Sequence, residues 1–136
     1  MQYLCKIKMN KEPYVTSFDV RFRDLDPMGH VNNAVYATYI EHARIKYYES
    51  LLNISLADVD TVIVHLEIDY IKSLQLGETV EVSLSISSIG TSSVTMDYVL
   101  TNGSEKVATA KTVQVLLDGK TGTSTPIPQE WRTLME

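Results

Sequence analysis

The chain has 136 residues, 44% of them hydrophobic and 21% charged, which suits one domain over 1–136 with a core of its own. Its 12 basic and 17 acidic residues leave a formal net charge of −5, and that argues against a general nucleic-acid binder, which needs a basic surface. The one cysteine, Cys5, permits no internal disulfide and no cysteine zinc cluster.

No apolar run approaches the length of a membrane span, and the stretch from Met1 to Tyr14 has no signal-peptide core. A cytoplasmic protein is therefore expected. In chain order, the first regular element is Ser17 to Asp24. Phe18, Val20 and Phe22 alternate with Asp19, Arg21 and Arg23, as in a half-buried strand. Pro27 and Gly29 then break the chain, and Asn32 or Asn33 can cap a helix.

From Ala34 the period lengthens. Val35, Tyr36, Tyr39, Ile40, Ala43, Tyr47 and Leu51 recur at steps of three and four, which predicts a helix of about five turns with one apolar stripe. Glu41, Arg44, Lys46 and Glu49 lie off that stripe, and Asn53 is a terminator. Beyond Asp60 the period is two. Val62 to Tyr70, Val80 to Ile86, Val94 to Leu100 and Lys106 to Leu117 read as strands. Turns fall at Leu76-Gly77-Glu78, Ile89-Gly90-Thr91 and Asn102-Gly103, the last a strong hairpin signal. Pro126, Pro128 and Trp131 mark a short tail on the surface. Short turns between successive strands predict a mostly antiparallel sheet. A lone long helix must bury its stripe on that sheet. The expected fold is α+β, about five strands wrapped around one helix.

Chemistry concentrates between the first strand and the helix, in Asp24-Leu25-Asp26-Pro27-Met28-Gly29-His30-Val31-Asn32-Asn33. The helix N-terminus offers free N–H groups and a partial positive charge, a place where a carbonyl oxygen gaining charge would find donors. Asp26 could attack a carbonyl carbon or activate water beside it. His30 could orient a carbonyl, a water or Asp26. The chemistry that fits is acyl transfer to water. The plainer reading makes these residues caps and turn formers, and it suits Asp24 best. Asp24, Asp26 and His30 could also ligate a metal, but their spacing matches no strong metal motif.

Phe22 to Tyr36 resembles the signature of hotdog-fold acyl thioesterases, being similar to the 4-hydroxybenzoyl-CoA thioesterase branch and to plant acyl-ACP thioesterases. Ile68 to Glu78 is similar to the family's second recurring stretch, with Ser73 where the family often has proline. The resemblance implies a hotdog fold, a homodimer or homotetramer with active sites between subunits, and an acyl-CoA or acyl carrier protein thioester as substrate. It implies no cofactor. Asp26 takes the place of the aspartate that attacks the thioester or activates water. In the plant enzymes an Asp, an Asn and a His act together; Asp26 and His30 match two of them, and Met28 stands where the Asn would be. The backbone N–H near Asn33 becomes the oxyanion donor, on a loop that Gly29 helps to fold.

Glu41 reads as a surface acid or a partner for Arg44, although some relatives use a helix glutamate. His42 reads as structural. His65, Glu67 and Asp69 share a strand face that reads as solvated. Thr91 and Ser92 belong to a polar corner that reads as a turn, or as a neighbour of a pantetheine arm. Lys72, Lys106 and Lys111 are candidates for coenzyme A phosphates. The rival expectations are a non-catalytic hotdog module that binds acyl-CoA or acyl-ACP, a hotdog dehydratase or hydratase, and a metal-dependent hydrolase.

Overall fold

The structure is a computed structural model that describes residues 12–55 and 59–136. Cys5 lies outside the described residues. Five strands form one sheet: β1 (Tyr14–Asp19), β2 (Asp60–Tyr70), β3 (Thr79–Ile89), β4 (Ser93–Asn102) and β5 (Glu105–Leu117). Their order across the sheet is β1-β3-β4-β5-β2, and every neighbouring pair is antiparallel. β3, β4 and β5 make a meander with short turns, as Gly90 and Asn102-Gly103 predict. β1 and β2 lie at opposite edges, so the chain between them must cross the whole sheet.

That crossing is made by helix α1 (Asn33–Tyr47). Its Tyr36, Tyr39, Ile40, Ala43 and Tyr47 are buried and pack in one cluster with Val80, Val82 and Leu84 of β3, and with Met96, Tyr98 and Leu100 of β4. The sheet therefore wraps the apolar stripe of α1, as the two periods require. Tyr48–Leu52 continue α1 as one wider π turn, and Asn53 ends it in the left-handed conformation at φ 55°. No described helix is long and apolar enough to cross a membrane.

Four features depart from the sequence reading. The first strand ends at Asp19, not Asp24. Phe22–Asp24 form a 3-10 turn instead, because Asp24 accepts the Arg21 backbone N–H at 2.9 Å and closes the chain on itself. Phe22 therefore leaves the strand alternation and is 80% exposed. Arg44 is buried rather than off the stripe. The tail forms a short helix, α2 (Gln129–Met135), which packs against the π turn and buries Ile127 and Met135.

Candidate active site

Residues 25–31 fold into a tight loop held by their own backbone. Leu25 and Val31 face each other as an antiparallel bridge. The Asp26 N–H donates to the His30 carbonyl at 2.8 Å, and the Gly29 N–H to the Asp26 carbonyl at 3.0 Å. Pro27 supplies the fixed φ that starts such a turn. Gly29 closes it at φ +86°, a conformation that a side chain makes costly. Buried anchors hold the loop in place: the Val31 N–H donates to the Leu74 carbonyl at 2.8 Å, and Leu74 is fully buried. The Asn32 N–H donates to the Asp24 carbonyl at 2.9 Å.

The two aspartates of the loop differ in burial and in partners. Asp24 is buried, and its carboxylate accepts Arg21 Nη2–H at 3.0 Å and the Tyr39 hydroxyl at 2.8 Å. Burial raises its pKa, but the hydrogen bonds from the Arg21 side chain and backbone and from Tyr39 outweigh that, and the carboxyl sits below its ordinary 3.8. Asp24 is thus a structural anchor, its carboxylate engaged by Arg21 and Tyr39. Among the described residues no cluster of three or more His, Cys, Asp or Glu could hold a metal.

Asp26 is half-buried. Its Oδ1 accepts the Met28 N–H at 2.9 Å and the His30 N–H at 3.2 Å. Oδ2 has no hydrogen bond among the described residues. One oxygen therefore fixes the carboxylate, and the other has no partner among the described residues. His30 orients Asp26 through its backbone rather than its ring. The imidazole is half-buried and makes no hydrogen bond among the described residues.

The start of α1 is capped only in part. Asn32 is the N-cap, and its Oδ1 accepts the Ala34 N–H at 2.9 Å. The Val35 N–H donates to the Asn32 carbonyl at 2.8 Å. The Asn33 N–H has no acceptor among the described residues, and it stands at the positive end of the helix. Tyr70 of β2 donates its hydroxyl to the Asn33 carbonyl at 2.9 Å and sets its ring edge-on to Tyr36, 5.0 Å between centroids. Sequence reasoning missed Tyr70; its only signal was a place in an alternating strand.

The other candidates are spread more widely. Glu41 is exposed, and no ion pair joins it to Arg44; both line a cavity of about 230 Å³ between α1 and β2. A larger cavity of about 900 Å³ lies at the other end of α1, lined by Tyr14, Tyr47, Leu51, Leu84 and Met135, with no residue of the Asp26 loop. Thr91 and Ser92 sit at the far end of β3 from that loop, roughly 30 Å away by strand rise. Their carbonyls accept the Ile127 and Leu116 N–H groups at 2.9 Å. Within one subunit the corner therefore does not reach Asp26. Lys72 pairs with Glu105 at 2.6 Å and Lys111 with Asp97 at 2.7 Å, whereas Lys106 is exposed. The His42 ring lies 5.8 Å from that of Phe18. His65 bonds Glu67 at 2.8 Å on an exposed face.

Comparison with known proteins adds likenesses in sequence and in structure. Residues 20–133 match the model of the thioesterase-like superfamily. A 1,4-dihydroxy-2-naphthoyl-CoA hydrolase of Synechococcus elongatus is 31% identical over 122 residues, covering 82% of this chain and 89% of that protein. A chloroplastic acyl-acyl carrier protein thioesterase of Arabidopsis thaliana is 31% identical over 107 residues, covering 74% of this chain and 56% of that one. Among solved structures, a thioesterase from Thermus thermophilus complexed with coenzyme A and Zn superposes with a TM-score of 0.84 at 37% identity, covering 93% of this chain and 99% of its own.

Proposed function

The chain belongs to the thioesterase-like superfamily, and from that premise we propose that it hydrolyses acyl-CoA thioesters at the Asp26 loop. The observation that carries this reading is the division of labour within one carboxylate. Asp26 Oδ1 is tied to the Met28 and His30 amides, and Oδ2 has no hydrogen bond among the described residues, on the loop that leads into the start of α1. A thioester carbonyl placed there receives the Asn33 N–H on its oxygen. Oδ2 then adds to the carbonyl carbon, or takes a proton from a water that does. The carbon–sulfur bond breaks, and the thiolate leaves and is protonated by solvent or by the His30 ring; where Oδ2 itself has added, a water then cleaves the resulting acyl–Asp26 anhydride, releasing the free acid and restoring the carboxylate. Charge that develops on the carbonyl oxygen meets a fixed donor and a helix dipole, the general device for acyl transfer.

Coenzyme A is the preferred carrier because it is named for both the Synechococcus hydrolase and the Thermus structure. The Arabidopsis relative makes acyl carrier protein the second carrier to test. The site is completed by a second copy of the chain, in a homodimer or homotetramer. Supporting that assembly, the outer strand β2 exposes Val62, Val64 and Leu66, and Phe22 and Met28 are bare beside the loop. A role for Thr91, Ser92 or Lys106 at the pantetheine arm or phosphates then falls to the neighbouring copy.

The test is thiol release from short, long and aromatic acyl-CoAs, then from acyl carrier protein thioesters. Asp26→Asn is expected to lose at least about 100-fold in kcat, the scale of a missing general base, with an unchanged circular dichroism spectrum. An Asp26→Asn protein that turns over at the wild-type rate sinks the assignment. Saturable binding with no hydrolysis of either carrier by the wild type replaces it with the binding-module reading.

A further inference from the structure

The Asn33 N–H is one free donor in a row of tied ones. The Val31 N–H donates to the Leu74 carbonyl at 2.8 Å, and the Asn32 N–H to the Asp24 carbonyl at 2.9 Å. The Ala34 N–H donates to Asn32 Oδ1 at 2.9 Å, and the Val35 N–H to the Asn32 carbonyl at 2.8 Å. From 31 to 35, only the Asn33 amide has no acceptor among the described residues. The N–H and the carbonyl of Asn33 sit on one residue, so holding the carbonyl fixes how that residue is turned. The Tyr70 hydroxyl donates to that carbonyl at 2.9 Å. A carbonyl oxygen has two lone pairs, so it can take this bond beside the one that an α-helix gives it from four residues on.

Tyr70 is itself firmly placed. Its backbone stands opposite Ala108 of β5, and the next two N–H groups, of Ile71 and Lys72, both donate to the Val107 carbonyl, at 2.9 and 3.1 Å. Val107 and Ala108 are buried. The phenol ring meets buried Tyr36 edge-on, 5.0 Å between centroids. It thus forms a strut from the sheet to the first turn of α1. Leu74, on the connection that follows β2, holds Val31 in the same way. Two residues of one stretch, Leu74 and Tyr70, therefore grip the chain on either side of the free donor. Helix starts lack intrahelical partners for their first N–H groups, and a donor has its full effect on developing charge only if it need not reorganise.

We infer that Tyr70 is a positioning residue for thioester hydrolysis: its hydroxyl holds Asn33 so that the N–H stays aimed at the carbonyl oxygen of the substrate. The inference rests on the hydrolytic reading of the Asp26 loop and adds to it a residue from β2. Tyr70→Phe removes the hydroxyl and keeps the ring. The residue is 46% exposed, so the change leaves no buried gap. With the acyl-CoA that the wild type hydrolyses fastest, kcat should fall about tenfold, short of the roughly 100-fold or more that follows loss of a donor outright. KM should stay within about twofold, because the donor gains strength only as charge develops on the oxygen. Tyr14→Phe is the control. It loses a tyrosine hydroxyl bonded to Ser50 Oγ at 3.1 Å, at the other end of α1, and should keep kcat within about twofold of the wild type.

An unchanged kcat in Tyr70→Phe, beside a wild type that turns over, overturns the inference and leaves the hydrolytic reading standing. A raised KM with kcat kept overturns it as well, for the hydroxyl would then bind substrate rather than aim a donor. An equal fall of kcat in Tyr14→Phe overturns it by assigning the loss to general loosening. A wild type that hydrolyses neither acyl-CoA nor acyl carrier protein thioesters removes the reading and the inference together.

Discussion

Asp24 and Asp26 are two residues apart and have different surroundings. A residue's type does not separate them; its partners do. Asp24 is held below its ordinary pKa of 3.8 by Arg21 and Tyr39 against the pull of burial. It therefore ionises more readily in the folded chain than in the unfolded one. The stability it lends is complete above the unfolded value and drains away as pH falls through the folded one. Asp24→Asn should cost about 1–3 kcal/mol at pH 7, since it weakens two charge-assisted bonds around a buried group. Its melting temperature should then converge on that of the wild type as both are taken below about pH 4. A gap that stays constant down to about pH 3 contradicts the assignment. Asp26→Asn carries no such penalty, because Oδ1 alone serves the loop and an amide oxygen can replace it.

At the level of elements, the long stripe of α1, the β3-β4-β5 meander and the Asn102-Gly103 turn were legible, because period and turn chemistry are local signals. The positions of Asp26 and His30 before the helix and of Asn33 at its start were legible too, from the spacing of residues that break a strand and cap a helix. What was hidden depended on particular side-chain partners, near or distant, that a periodic pattern does not show. The strand ends early because Asp24 turns back on Arg21. Arg44 looked like a solvated residue, and only Tyr98 and Thr112 on two other strands make its position interior. The π turn at Tyr48–Leu52 left no mark in the pattern, whereas the Asn53 stop did. Asn53 holds φ 55°, so Asn53→Ala should lower stability by about 1 kcal/mol and Asn53→Gly should not. Urea midpoints at equal slope decide between them.

For the molecule as a whole, β2 is the exposed problem. It pairs on one side only, with β5, and carries Val62, Val64 and Leu66 at 42%, 59% and 45% exposure. An open edge with that apolar load invites another strand. The shift in register around Val64 limits which strand can pair with it. Sedimentation should give a mass of at least two chains, and Val64→Glu should reduce it toward one; a monomeric wild type at micromolar concentration defeats the assembly proposed for the site. The sheet order has a further outcome for synthesis. Tyr14 of β1 lies opposite Leu84 of β3, and β2 waits for β5, which ends at Leu117. A ribosome therefore makes the Asp26 loop and α1 well before the strands that hold them. Until β5 is out, the tyrosine-lined face of α1 has only part of its cover. The half that holds the proposed site is translated before the strands that secure it, and the growing chain, rather than the finished one, has most need of a chaperone.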